Sequence, residues 1–285
     1  MKKINNIIVA VDFSVTSRDS YRYAKLLAQS LNATLTVVNV RENVVMVSDV
    51  NIVPFPMTTD SELLKQIQEF VMEENEYLNI STTINEIKAK ILTGNVTDEL
   101  IDLSRDNSVD LIVMGTTGLS DVLTKIFGSI SVRVSNLAYC PVLLIPRDVK
   151  WKPIEQIMYA SNYDSLSPAM VQEISDFAIS TNAVLHFVNV RNFDPQFETK
   201  QKDFNWDELL ISRDPRFYYE KRTVYGNDTV KELITYSVNK NIDMMCFVSS
   251  HRNFWQNLVH KSITENMAID STIPIMVLHV DDSES

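Results

Sequence analysis

At 285 residues the chain has room for two domains of the usual ~100–200 residues, and a hydrophobic fraction of 45% supplies apolar side chains for two cores. A formal net charge of −11 argues against nucleic acid or an anionic membrane surface as partner, because both call for clustered Lys and Arg. No apolar stretch reaches the ~18 residues of a membrane span.

The first apolar run, residues 7–11, is too short for a signal-peptide core and is closed by Asp12, so a cytoplasmic protein is expected. Residues 16–31 then place Tyr23, Leu26, Leu27 and Leu31 at helical spacing, with Ser14 or Thr16 as the cap. A second strand follows at residues 35–41. The stretch 44–60, with Pro54 and Pro56, reads as a packing loop rather than a flap. Glu62, Glu69, Glu73, Glu74 and Glu76 face few opposing lysines and read as a solvated helix face. A further amphipathic helix from Thr97 leads into a buried strand at residues 110–114. The last strand of this half follows Cys140-Pro141. Cys140 and Cys246 each sit by an apolar run with no Cys-x-x-Cys, as small buried hydrophobes in a reducing compartment.

The pattern then repeats. Ile7-Ile8-Val9-Ala10-Val11-Asp12 returns 150 positions later as Ile157-Met158-Tyr159-Ala160-Ser161-Asn162, and Val38-Asn39-Val40-Arg41 returns as Val188-Asn189-Val190-Arg191. Thr93-Gly94-Asn95 matches Tyr225-Gly226-Asn227. Asp110 and Cys140-Pro141 match Asp243 and Ile273-Pro274 at an offset of 133, so the second copy is shorter in its middle. A linker bounded by Pro146 and Pro153 divides the chain into domains 1–148 and 149–285. Strands that are continuous Val/Ile/Leu runs, separated by helices, predict α/β architecture: two tandem doubly wound, Rossmann-like domains with mostly parallel sheets covered by helices on both faces. In such sheets the ligand crevice lies beyond the carboxyl ends of the strands where the winding reverses, which gathers the loops after Val11, Val40 and Met114.

Three of the five glycines fall in one short stretch, Gly115-Thr116-Thr117-Gly118, nine residues, then Gly128-Ser129-Ile130-Ser131. Glycine permits positive φ and close approach of backbone N–H groups to an anion, and a helix starting at Gly128-Ser129 adds free N–H donors. Ser129 and Ser131 offer hydroxyls to phosphate. Asp12 can accept from a ribose hydroxyl or an adenine amine, and Val40 can wall a base. Singly each has a plainer reading: Gly-x-x-Gly is commonly a turn, Asp12 serves equally well as a helix cap, and Val40 as core. Their convergence on one crevice favours a phosphate site.

Gly-x2-Gly-x9-Gly-Ser at Gly115, Gly118, Gly128 and Ser129 is similar to the ATP-binding signature of the universal stress protein family. The strand ending in Asp12-Phe13-Ser14, the Thr93-Gly94-Asn95 element and Asp110-Leu111-Ile112-Val113-Met114-Gly115 also resemble that family. The likeness covers nearly all of the first half and, more weakly, the second. It implies a five-stranded α/β fold with adenine nucleotide at the strand ends. Asp12 and Val40 would flank the nucleoside; Gly115, Gly118, Gly128, Ser129 and the Ile130 backbone would hold the phosphates, with ATP as cofactor, accompanied or not by Mg2+. It further implies pairing through last strands, here Val142–Ile145 with Ile275–Leu278 inside one chain. Whether two chains then form a homodimer stays open.

The second half departs from the signature. Gly115, Gly118 and Gly128 become Val248, His251 and Lys261; Ser129 survives as Ser262, and Asp12 becomes Asn162. No ATP is expected in that crevice, with a cationic site of His251, Arg252 and Lys261 as the alternative. His186, His251, His260 and His279 show no zinc spacing and read as ordinary surface or core histidines. The function read from this is an ATP-binding regulatory or stress-response protein acting on an unknown protein partner, with no obvious catalytic dyad. A slow ATPase or phosphotransfer protein, with Asp12 and Asp121 as the nearby carboxylates for magnesium, and a nucleotide-free scaffold remain the alternatives.

Overall fold

Apolar runs that do not alternate with polar residues must be covered on both faces, and a parallel strand between two helix layers does this. The computed structural model describes residues 3–42, 59–117, 128–160, 168–191, 218–248 and 273–279. The chain divides into two compact units, Ile4–Trp151, and Lys152–Ser285 together with Met1–Lys3.

The first unit runs β1 (Asn6–Ala10), α1 (Val15–Leu31), β2 (Thr34–Arg41), α2 (Asp60–Tyr77), β3 (Lys88–Thr93), α3 (Val96–Leu103), β4 (Leu111–Gly115), α4 (Ser129–Leu137) and β5 (Val142–Ile145). Its strands are all parallel, in the order β3-β2-β1-β4-β5. The chain starts in mid-sheet, builds outward to β3, then returns to the other side of β1, so the winding reverses between β1 and β4. Ile7, Val9, Leu111, Ile112, Val113, Leu143 and Leu144 are fully buried between the helix layers. Burial on this scale contributes ~1.5–3 kcal/mol for each large aliphatic side chain relative to its exposed state.

Local chemistry explains the helix ends. Of the two candidate caps for α1, Ser14 is the cap: its hydroxyl accepts the Ser17 N–H at 3.1 Å. Asn32 ends α1 in the left-handed conformation that Asn tolerates. Thr59 and Glu62 form a reciprocal capping box at the start of α2, and the backbone N–H of Thr59 holds the Glu62 carboxyl below its usual range. Asn95 caps α3 by accepting from Thr97 and Asp98.

The glutamate-rich face of α2 needs one correction. Glu74 is buried, 1% exposed, and is bound by Arg18 and Arg22 of α1. The opposing cations are arginines supplied by another helix, so a count of nearby lysines could not find them. Glu62, Glu69, Glu73 and Glu76 are exposed or nearly so, as expected.

The second unit follows the same order: β6 (Gln156–Ala160), α5 (Pro168–Thr181), β7 (Val184–Arg191), β8 (Tyr219–Tyr225), α6 (Thr229–Asn239), β9 (Met244–Val248) and β10 (Ile275–Leu278). Its strands pair in parallel as β10-β9-β6-β7-β8. The two units agree at the level of single atoms. Asp110 Oδ2 accepts the N–H groups of Asn5 and Asn6 at 2.8 and 2.9 Å, and Asp243 Oδ2 accepts those of Glu155 and Gln156 at 2.9 and 2.8 Å. The N–H of Gly94 donates to the Arg41 carbonyl at 3.0 Å, and that of Gly226 to the Arg191 carbonyl at 2.9 Å. His186 is a core histidine, its ring nitrogens 2.7 Å from Gln156 Oε1 and 2.9 Å from Tyr236 Oη. No helix among the described residues is long and apolar enough to cross a membrane.

Candidate functional site

The reversal between β1 and β4 leaves the carboxyl ends of three strands around one opening. β1 is carried past its last ladder pair by two bonds: the Val11 N–H donates to the Val38 carbonyl at 2.9 Å, and Asn39 Nδ2 donates to the Val11 carbonyl at 2.8 Å. Asn39 is itself buried. Immediately beyond, the Ser14 N–H donates to Asp12 Oδ1 at 3.0 Å, and Phe13 between them has a φ of 64°. On the far side of β2, Arg41 Nη1 reaches Asp60 at the start of α2 at 2.6 Å and Nη2 reaches Thr93 Oγ1 at 3.0 Å, joining β2, α2 and β3.

A cleft of about 460 Å3 lies at these strand ends, lined by the residues after β1 (Asp12, Phe13), the end of β2 (Val38, Asn39, Val40), Glu42, the start of α3, the end of β4 with Thr116 and Thr117, and the first turn of α4. Of the eight residues singled out in the sequence, seven line it: Asp12, Val40, Gly115, Gly128, Ser129, Ile130 and Ser131. Gly118 lies outside the described residues, as do Asp121, Asn162, His251, Arg252, His260, Lys261 and Ser262. Asn39, Glu42 and Thr117 line the cleft without having been singled out. The Asn39 signal was legible, since that residue recurs as Asn189 in the duplicated Val-Asn-Val-Arg.

The two described signature glycines, Gly115 and Gly128, do not adopt positive φ. Gly94 is the glycine with positive φ among the described residues, and Gly128 is extended, at φ −77° and ψ 158°. Gly115 is required by close approach instead. A Cβ there would lie 2.7 Å from Thr16 Cγ2 and 3.2 Å from both Thr16 Cβ and the Thr16 carbonyl oxygen. Its missing side chain lets the start of α1 pack on the end of β4, where Thr16 Oγ1 and Thr117 Oγ1 lie 3.1 Å apart.

The first turn of α4 combines one side chain turned inward with a glycine at its start. Ser131 is 2% exposed; its hydroxyl has the Thr116 carbonyl at 2.7 Å and the Gly128 carbonyl at 2.9 Å. The Gly128 N–H also donates to the Thr116 carbonyl, at 2.6 Å. Ser131 is therefore a latch between β4 and α4, and Ser129, which is exposed, is the serine able to reach a ligand. Gly128 is the N-cap and offers no side chain, and the first turn of α4 holds no acidic residue. Among the described residues no side chain caps this turn, whose N–H groups carry the donor capacity and partial positive charge of a helix start. The described residues contain no cluster of three or more His, Cys, Asp or Glu suited to a metal ion.

In the second unit the counterpart of Gly115 is Val248, 4% exposed at the end of β9. That position carries a β-branched side chain where, in the first unit, a Cβ would crowd Thr16.

The family model of the Universal stress protein family matches residues 3–146. Universal stress protein YxiE of Bacillus subtilis (strain 168) is 29% identical over 145 residues, 50% of this chain and 98% of that protein. Universal stress protein A homolog 1 of Coxiella burnetii is 31% identical over 145 residues, 49% of this chain and 94% of its own length. Among solved structures, the crystal structure of a universal stress protein from Archaeoglobus fulgidus DSM 4304 aligns over 98% of both chains with a TM-score of 0.66 at 16% identity. That last likeness is one of fold.

Proposed function

This chain belongs to the universal stress protein family, and from that premise we propose that its first unit binds one ATP and that the chain acts as a nucleotide-dependent regulatory protein whose bound state is read by a protein partner. The observation that carries this reading is the first turn of α4, opening with Gly128, Ser129 and Ile130 on a cleft whose other wall presents Asp12 and Val40. N–H donors at a helix start suit a phosphate, worth ~0.3–1 kcal/mol for each charge at an exposed helix end and up to ~2 kcal/mol when partly buried. A volume of about 460 Å3 lies within the ~300–1,000 Å3 of small-molecule pockets.

In this reading Asp12 accepts from the nucleoside, Val40 packs on the base, and the Ser129 hydroxyl with the N–H groups of Ser129 and Ile130 binds phosphate. Ser131 ties the start of α4 to the end of β4, Gly115 lets α1 pack on that same strand end, and Gly118 would contribute to the phosphate site. Magnesium, where it accompanies ATP, would be held largely by phosphate oxygens, with one or two carboxylates. The described cleft holds two carboxylates, Asp12 and Glu42. Two buried free cysteines fit a cytoplasmic protein.

The test is incubation of the full chain with ATP labelled in its terminal phosphate, with magnesium. Stoichiometric retention without continuing phosphate release supports the reading. Sustained release would make the protein an ATPase, and absence of retention would remove the nucleotide altogether.

A further inference from the structure

Phe13 occupies a backbone conformation that its side chain disfavours, with φ at 64°. A bulky residue stays in the left-handed region when its surroundings over-determine it. Before it, Val11 is bonded on both sides, its N–H to Val38 and its carbonyl to Asn39. After it, Ser14 is held by Asp12 Oδ1 and in turn caps α1. The third restraint is lateral. The Phe13 ring meets Phe70 of α2 edge-on, with centroids 5.6 Å apart and planes at 72°.

Phe70 is fixed in its own right. It is 3% exposed, meets Tyr21 of α1 edge-on at 5.6 Å, and lies under the Arg18 guanidinium at 5.3 Å. The same helix pair is bonded by Tyr21 Oη donating to Asn75 Oδ1 at 2.9 Å, and by Arg18 and Arg22 on Glu74. Phe70 does not line the cleft, whereas Phe13 and Asp12 do. The ring contact is thus a mechanical link from α2 to the turn that carries Asp12.

We propose that Phe70 is a positioning residue for the cleft: through the Phe13 ring it holds the left-handed turn that aims Asp12, and docking of α2 thereby controls nucleotide affinity at this site. The proposal rests on the nucleotide reading above. Linkage makes the control reciprocal, so nucleotide must also stabilise docked α2.

The test is calorimetric titration of the full chain with ATP and magnesium. Phe70→Leu, which keeps an apolar side chain in the core, should weaken ATP about tenfold, within the usual range for coupling between sites. In a Phe13→Asn background, where the left-handed turn is cheap, Phe70→Leu should change affinity by less than about twofold. Equal losses in both backgrounds would mean general damage, and no loss in either would mean no coupling; each overturns the proposal. Hydrogen exchange on the unaltered chain supplies the second arm: ATP should slow exchange in residues 63–77, and an unchanged rate with ATP bound overturns the proposal. Failure of the unaltered chain to bind ATP would instead remove the nucleotide reading on which the proposal stands.

Discussion

Replacing Gly115 by alanine separates a packing role from a ligand role. The added Cβ would sit 2.7 Å from Thr16 Cγ2 and 3.2 Å from Thr16 Cβ and the Thr16 carbonyl oxygen. The methyl can turn away by rotation of Thr16, at the expense of its contact with Thr117, but the backbone oxygen cannot move without α1. Overpacking of this kind costs about 1–3 kcal/mol, which for a unit of this size lowers the melting temperature by roughly 3–10 °C. Differential scanning calorimetry of the nucleotide-free chain would measure it. Thr16→Ser removes the nearest carbon and keeps the hydroxyl, so Gly115→Ala with Thr16→Ser should recover part of the loss, a favourable coupling of about 1 kcal/mol in a double-mutant cycle. If Gly115→Ala leaves the nucleotide-free protein as stable as before and weakens ATP alone, Gly115 serves the ligand and the packing argument is wrong.

Glu74→Ala should destabilise the first unit by about 2 kcal/mol, toward the low side for a buried pair because Arg18 and Arg22 keep some solvent contact; chemical denaturation would show it, and Glu74→Gln should cost less. His186 is held below the ordinary histidine value of 6.5 by burial, which outweighs the attraction of Glu220 and is aided by Lys240 and Arg222. The unfolded chain therefore takes up the proton before the folded one does, so stability should be flat above about pH 7 and fall as the pH drops through 6.5. Denaturation midpoints between pH 7.5 and 5 should slope less in His186→Gln. Burial raises the Cys246 thiol far above its ordinary range, and Cys140 is buried too, so neither should react with a disulfide reagent until the chain is unfolded.

The sheet was legible because a strand buried on both faces leaves an unmistakable mark, a run such as Ile7-Ile8-Val9 without polar alternation, and because the duplication supplied each run twice. The α1 span followed from local spacing, and hydrogen-bonding chemistry narrowed its cap to Ser14 or Thr16. What escaped depended on residues far apart in the chain. Glu74 falls on the helical stripe of Leu63, Ile67, Phe70 and Val71, but a carboxylate there reads as solvated until α1 brings two arginines across it. Gly115 looked like a positive-φ glycine because glycines in loops commonly are; that it yields space to Thr16, 99 positions earlier, is visible only after α1 has packed. Ser131 and Ser129 are equivalent as sequence, yet the direction of the first helical turn leaves Ser129 exposed and turns the Ser131 hydroxyl to the Thr116 carbonyl. The left-handed Phe13 had a partial signal in Asp12-Phe13-Ser14, where an Asp two residues before a cap accepts its N–H, but its brace on Phe70 had none.

Equilibrium dialysis of the full chain against labelled ATP with magnesium counts the sites directly. Saturation at one ATP per chain, abolished by Asp12→Ala while the melting profile of the second unit stays unchanged, is the predicted result. Saturation at two per chain, or no binding at all, would contradict a single nucleotide site in the first unit.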